Sequence, residues 1–476
     1  MAARMSADVV VVGVGTCGED LSLRLMAAGL DVVGVEVALI GGECPYWACL
    51  PSKRMIRMGN LVAEGRRANG RAGRTTVSPD WGLVAAQVRD EITGGWNDAG
   101  GEQRFHDRGG RLLRGRARLA GPRTVVVGDT TVEARRGIVL ATGSRPAVPD
   151  VPGLADADYW TTHDVIAAEK LPESVVVLGG GAVGCELGQV MARFGSDVTI
   201  LEGAGRLLPT EEPEASDVLR EALETGGVTV RTGTTATRVG QRDAVDGGFV
   251  LDLDGADSVK AERLLVATGR HVELGGLGLE TVGLDPRASR VDVDERMRAA
   301  DGLWAMGDVT GRTMLTHVAL YQSAIVAADI LGEERPPARY DAVPRAVFTD
   351  PEVGAVGLTE RQAKEEGRDV VASVKMLTST FRGWLHSEGN AGLMKFVLDR
   401  DNRVLVGATA VGPHAAEMLG FLGLAVHARV PLEELRSMIY AFPTFYGSIG
   451  EGIGGYGRGL VTVLDPGYDG IARLDS

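Results

Sequence analysis

The fold class the sequence predicts is α/β: two Rossmann-like dinucleotide-binding units followed by a separate C-terminal domain. Three observations predict it. An apolar, β-branched run near the N-terminus meets a glycine turn, a helix and a strand that ends in an acid. The same order returns at Ser174. From about Tyr340 the patterning changes to strands, helices and hairpins. At 476 residues the chain is too long for one core, and about three domains are expected.

The first unit opens with Asp8–Val12, whose length and β-branching read as a buried parallel strand. It runs into Gly13, Gly15 and Gly18 of a GxGxxG turn, then a helix to about Ala28 and a strand Asp31–Val35 ending in Glu36. Glycines there let a pyrophosphate approach the helix N-terminus, and Glu36 can accept from a ribose hydroxyl. In the second unit, Ser174–Leu178 leads to Gly179, Gly181 and Gly184, with Gly188 one turn on, and Asp197–Leu201 ends in Glu202. An acid at that point accepts from the adenosine ribose and repels a 2′-phosphate, favouring NADH over NADPH, although Arg206 is close by.

Between the units lies Gly41–Lys53, GGECPYWACLPSK, with Cys44 and Cys49 at what reads as a helix start. Pro45 suits a first turn, and Glu43 lies where the helix dipole favours negative charge, a thiolate included. Such a pair can close a small disulfide and reopen it, provided a cofactor reaches it. The bland alternatives are a structural pair or half a metal site. Zinc spacing and a second ligand pair are both missing, so no metal is expected. Cys17 and Cys185 read as small packing residues.

The region of about 59–137 is polar and rich in Gly and Arg. A strand Gly137–Leu140 then leads into Ala141-Thr142-Gly143, and Arg263–Val266 into Ala267-Thr268-Gly269. Asp308 follows a glycine at a strand end, where a carboxylate can take a ribityl or ribose hydroxyl. Leu315-Thr316-His317-Val318-Ala319 opens a helix to about Leu331.

Composition agrees with a cytoplasmic enzyme. The 44% hydrophobic and 24% charged content is that of a globular protein, and a net charge of −14 without a basic block argues against a nucleic-acid surface. The apolar run at Asp8 leaves no room for a signal peptide. No apolar stretch reaches the roughly 18 residues of a membrane helix. In a reducing cytosol, close cysteines read as catalytic.

Taken together, these motifs resemble the flavoprotein disulfide reductases of the dihydrolipoamide dehydrogenase, glutathione reductase and mercuric reductase type. The family pattern GGTCxNxGCxPSK appears as GGECPYWACLPSK, and both glycine turns, both ATG segments, the Gly-Asp motif and YDAVPRAVFTDPEVGAVGLTE match in order. The resemblance implies FAD on Gly13, Gly15, Gly18, Glu36 and Asp308, and a nicotinamide cofactor on Gly179, Gly181, Gly184 and Glu202. Gly42, Ala141, Thr142, Gly143, His317 and Gly269 are further expected cofactor positions. It also implies Cys49 facing the flavin, Cys44 exchanging with substrate, and a Lys53–Glu186 pair beside the hydride-accepting nitrogen. The expected layout is a discontinuous FAD domain (1–150 and 273–340), an NAD(P) domain (151–272) and an α+β dimerisation domain (341–476) in a homodimer acting on a small molecule.

Departures from the family bear on function. The closing HPTxxE, whose His shuttles protons across the dimer, is here Phe442-Pro443-Thr444-Phe445-Tyr446-Gly447. Neither Phe442 nor Gly447 can transfer a proton, and acid–base catalysis is typically worth about 10²–10⁴ in rate. Tyr440, Tyr446 and Glu451 are near enough in sequence to substitute, with aromatic dimer packing as their other role; His427 falls on a helix. Tyr46, Trp47 and Ala48 replace the family's Asn, a small residue and Gly, and either narrow the approach to the cysteines or form a flat wall for an aromatic acceptor. The tail Gly467–Ser476 has no cysteine and no metal-binding module precedes the first strand, which disfavours mercury reduction. The expected activity is electron transfer from NADH through FAD and Cys49–Cys44 to a disulfide or other acceptor. The alternatives are direct quinone or dye reduction and a non-catalytic flavin-binding redox sensor or assembly subunit.

Overall fold

The computed structural model describes residues 3–241, 248–255 and 257–454, so the tail Gly467–Ser476 lies outside the described residues. The β-branched run becomes the strand Ala3–Val12, the centre of the first sheet. It pairs in parallel with Val32–Glu36 on one side and Thr130–Leu140 on the other. Val9, Val10 and Val11 are fully buried, as a strand covered on both faces requires. A later piece of chain completes this sheet, because Leu303–Ala305 pairs in parallel with Ile138–Leu140. The strand expected at Gly137–Leu140 begins earlier, at Thr130, and its first half carries the antiparallel strands Thr124–Val127 and Ala117–Leu119.

The second unit repeats the plan in a four-stranded parallel sheet ordered Thr229–Thr232, Asp197–Glu202, Ser174–Leu178, Arg263–Val266. An antiparallel three-stranded sheet (Ala236–Gln241, Phe249–Leu253, Ser258–Ala261) packs beneath it. The C-terminal part is an antiparallel five-stranded sheet, Pro344–Val347, Glu352–Gly357, Val404–Gly412, Leu393–Asp399 and Val370–Met376 in that order. The helix Ala415–His427 packs on it. This is the α+β domain the sequence predicts.

One apolar core joins the second unit to that sheet, with Leu187, Met191 and Leu219 packed with Val353, Leu393 and Val411. Polar contacts reinforce the junction. Buried Lys395 takes Glu212 at 3.0 Å, Glu214 at 2.8 Å and Glu360 at 2.9 Å. Arg345 grips Glu211 through two nitrogens at 2.8 and 2.9 Å. No described helix is long and apolar enough to cross a membrane.

Candidate active site

Both glycine turns close by the same contacts. Gly13 has φ +93°, and a Cβ there would lie 2.3 Å from the Ala141 carbonyl oxygen; at Gly179, with φ +111°, it would lie 2.4 Å from that of Ala267. The two ATG segments therefore back the first glycine of each turn, and only glycine fits. Glu36 accepts from Val14 N–H at 2.7 Å and Ala38 N–H at 2.8 Å. Glu202 accepts from Gly180 and Ala204 N–H, each at 2.7 Å. Each carboxylate oxygen keeps a further acceptor direction for a ribose hydroxyl.

A cavity of about 790 Å³ gathers most of the sequence candidates. Gly13, Gly15, Glu36, Gly42, Ala141, Thr142, Gly143 and Asp308 line one part, and Cys44, Cys49, Lys53 and Glu186 another. Its size suits a large cofactor. The lining also carries an unspent polar group: Thr142 Oγ1 is buried with no hydrogen-bond partner within the chain. Backbone crowding keeps the floor open, since a Cβ on Gly42 would lie 2.7 Å from the Gly15 Cα. These features fit a flavin dinucleotide. Gly18 lies behind the lining; a Cβ there would meet the Gly13 carbonyl oxygen at 2.0 Å, so it serves helix–strand packing.

The cysteines are not on one helix. A four-residue helix, Glu43–Tyr46, carries Cys44; the chain breaks at Trp47 and Ala48, and Cys49 starts the helix Cys49–Ala68. Ala48 at φ −141°, ψ −98° makes the break. Both thiols are free. The hydrogen bond from Cys44 holds the Cys49 thiol down at about 6 against the opposing pull of burial, helped by the Thr316 hydroxyl and the Lys53 ammonium. Donating that bond, and burial, push Cys44 well up. Thr316 Oγ1 lies 3.4 Å from Cys49 Sγ. Lys53 Nζ bonds Glu186 Oε2 at 2.8 Å, and the other oxygen of buried Glu186 accepts from Phe348 N–H at 2.8 Å.

The remaining candidates take these positions. The His317 side chain is exposed and sits 2.9 Å from the Pro344 carbonyl, away from the cavity; its neighbours Leu315 and Thr316 form the lining. Gly179, Gly181, Gly184 and Glu202, expected at the separate nicotinamide cofactor, and Gly269 lie outside that lining, and the second unit reaches it through Ala182, Val183, Glu186 and Leu187. Trp47 is among the lining residues and stacks with Trp96 at 5.2 Å and His163 at 4.6 Å. Tyr440 and Tyr446 pack together with Phe421, and the Tyr440 hydroxyl donates to the Leu435 carbonyl at 2.8 Å. Burial raises the Tyr440 phenol to about 12, and Glu451 is paired with Lys375 at 3.3 Å. All three make contacts within their own domain. Phe442 is 71% exposed.

Sequence reasoning missed the groups that tie these parts together. Arg270 donates to Ser144 Oγ at 2.7 Å, and Ser144 donates to Asp308 at 2.6 Å. His163 lies 3.0 Å from Glu43. Thr316 was in view as part of the helix opening, but only its contact with Cys49 singles it out.

Fold and site together define a flavin- and nicotinamide-dependent dithiol oxidoreductase. Family comparison makes the class specific. Residues 7–323 match the pyridine nucleotide-disulphide oxidoreductase family, and residues 343–452 match the dimerisation domain of that family. The chain is 35% identical to a dihydrolipoyl dehydrogenase of Halobacterium salinarum, covering 92% of this chain and 93% of that one. It is 30% identical to a mercuric reductase of Staphylococcus aureus, over 90% and 78% of the two chains. The HOCl-induced flavoprotein disulfide reductase RclA from Escherichia coli superposes with a TM-score of 0.82 at 25% identity, covering 94% of this chain and 99% of that one. The chain belongs to the pyridine nucleotide-disulphide oxidoreductase family, FAD-dependent enzymes that move electrons from NAD(P)H through FAD and a disulfide.

Proposed function

We propose that this enzyme takes its electrons from NADH and delivers them through Cys49 and Cys44 to a small disulfide or other soft acceptor. The observation that carries the reading is the asymmetry of the pair: Cys49 is the stabilised thiolate, beside Thr316 and Lys53, and Cys44 holds the proton. FAD, when bound, supplies hydride acceptance from the nicotinamide and two-electron delivery to the disulfide. Gly13, Gly15, Gly42, Thr142, Gly143, Glu36 and Asp308 would hold it. Lys53, fixed by Glu186, favours the electron-rich flavin through its positive charge.

In the disulfide reading, Cys44 passes its proton to the Cys49 thiolate along their hydrogen bond and attacks one sulfur of the acceptor, and the sulfur expelled takes that proton from Cys49 and leaves as the first thiol. Cys49 then attacks Cys44, releasing the second thiol and restoring the Cys44–Cys49 disulfide. One NADH and one proton are consumed per disulfide reduced to two thiols. With Phe442 at the shuttle position, the proton for the second thiol comes from solvent.

The NADH preference is supported by Arg206, whose guanidinium donates to the Pro209 and Glu211 carbonyls at 2.8 and 3.1 Å. One of its terminal nitrogens is therefore held by its own loop, which favours Glu202 as the group that sets selectivity. The division into 1–150 with 273–340, 151–272 and 341–476 is supported by the Leu303–Ala305 strand in the first sheet. A homodimer is supported by the match to the dimerisation domain and by exposed Phe442 and Ile439.

The test is acceptor turnover by Cys44→Ser and Cys49→Ser holoenzymes. Loss of disulfide reduction in both is expected. Unchanged turnover of the best acceptor, with quinones preferred, would favour direct transfer from flavin, the reading that the missing shuttle motivates.

A further inference from the structure

The helix that carries Cys44 is one turn long. Four residues do not hold a helix by themselves, since nucleation fixes several dihedrals for a single hydrogen bond. Glu43–Tyr46 is moreover cut off at both ends, by Gly41 and Gly42 at φ +93° and +72° before it and by the break at Trp47–Ala48 after it. The position of Cys44 therefore depends on what grips this turn from outside.

One side chain grips both of its ends. The His163 Nε2–H donates to Glu43 Oε1 at 3.0 Å, at the first residue of the turn. The same imidazole lies flat on Trp47, the residue that closes the turn, with centroids 4.6 Å apart and planes 17° off parallel. Trp96 also stacks on Trp47, at 5.2 Å, and its indole N–H donates to the Tyr46 carbonyl at 3.3 Å. Trp96 holds a left-handed φ of +56°, directly after Gly94 and Gly95, so the backbone there accepts strain to deliver the ring.

His163 is itself well anchored. It lies in the first turn of the helix Thr162–Ala167, which a Thr161–Asp164 capping box fixes. That helix belongs to the segment leading into the second dinucleotide unit. Behind Glu43, Arg270 stands 3.6 Å from Oε2 and continues through Ser144 to Asp308. Burial raises Glu43, but the His163 hydrogen bond and the Arg270 charge outweigh it and hold the carboxyl below its usual range. His163 is the single histidine among the residues that line the cavity.

We propose that His163 is a positioning residue for the redox pair, clamping the turn that carries Cys44 to the segment that enters the nicotinamide-side unit. The inference rests on the reading that Cys44 and Cys49 are the working dithiol. His163 acts through Glu43 and Trp47; the groups at the sulfurs are Thr316 and Lys53.

The experiment compares wild-type and His163→Ala holoenzymes, each reduced anaerobically by two electrons from dithionite. Two readings are taken: the long-wavelength thiolate-to-flavin absorbance and the rate of alkylation of the reduced thiols by iodoacetamide. Flavin content and thermal midpoint are followed in parallel. The clamp predicts that His163→Ala loses most of the long-wavelength band and alkylates faster, with flavin retained. It also predicts that His163→Gln, which keeps a donor for Glu43, recovers part of both. A wild-type band and wild-type alkylation rate in His163→Ala would overturn the proposal. If His163→Ala does not retain flavin, the same readings on Glu43→Gln and Trp47→Phe decide: weakening in both supports the clamp, and wild-type behaviour in both overturns it. A wild-type enzyme that shows no band at all fails the underlying reading instead, and the alkylation comparison then decides the clamp alone.

Discussion

The two dinucleotide units are built on one hydrogen-bond plan and differ in what surrounds it. In both, an Ala carbonyl blocks any side chain on the first glycine, and a strand-end glutamate accepts two backbone N–H groups. The first turn opens into the cavity that holds the cysteines, while the second stays outside it and contributes only the near face of its helix. Identical turns thus acquire different roles from their neighbours. What decides the role is the insertion after the first unit's acid, the stretch Gly41–Lys53, and the return of the chain at Leu303–Ala305 that brings Asp308 and Thr316 to the same cavity.

The strongest way to break this comparison is to damage one turn at a time. Gly13→Ala drives a methyl to 2.3 Å from the Ala141 oxygen, and the variant is expected to purify without flavin. Gly179→Ala makes the matching clash at 2.4 Å, yet it is expected to keep flavin and weaken NADH binding about 100-fold, or about 3 kcal/mol. Flavin absorbance and stopped-flow reduction separate the two. Equal loss of flavin in both variants would contradict the division of roles.

Removing Lys53 is next in size. Lys53→Met leaves the buried Glu186 carboxylate with only Phe348 N–H. A stability loss of about 2 kcal/mol is expected, below the range for fully buried pairs because Lys53 is partly exposed. Urea unfolding measures it, and slower flavin reduction by NADH accompanies it. A smaller effect sharpens the contrast between the two acids. Glu202→Gln is expected to narrow NADH-over-NADPH selectivity about tenfold by removing the charge that repels a 2′-phosphate. The matching Glu36→Gln is expected to leave that ratio unchanged. Ratios of kcat/KM for the two nucleotides test both.

The turns, their acids and the cysteine pair were legible in the sequence because each is a local pattern with fixed spacing. The break at Trp47–Ala48 was not, since CPYWACLPSK reads as one helix with Pro in its first turn, and only packing against His163 and Trp96 selects two. Thr316, Arg270 and His163 were equally hidden. Their partners lie over a hundred residues away in sequence, and nothing local marks which of His317 and Thr316 faces inward. The partners of Tyr440 and Glu451 required structure as well, because both are near Phe442 in sequence but bond to Leu435 and Lys375.

The central claim is that Cys49 is a thiolate in contact with the flavin and in exchange with Cys44. The measurement that tests it most directly is an anaerobic NADH titration of the flavin-loaded enzyme, followed by visible absorbance at several pH values. The account predicts a long-wavelength charge-transfer band after two electrons. The depressed Cys49 thiol keeps its charge above about pH 6, so the band is full at neutral pH and fades as pH falls through that value. Direct bleaching of the flavin with no such band at any pH would contradict it.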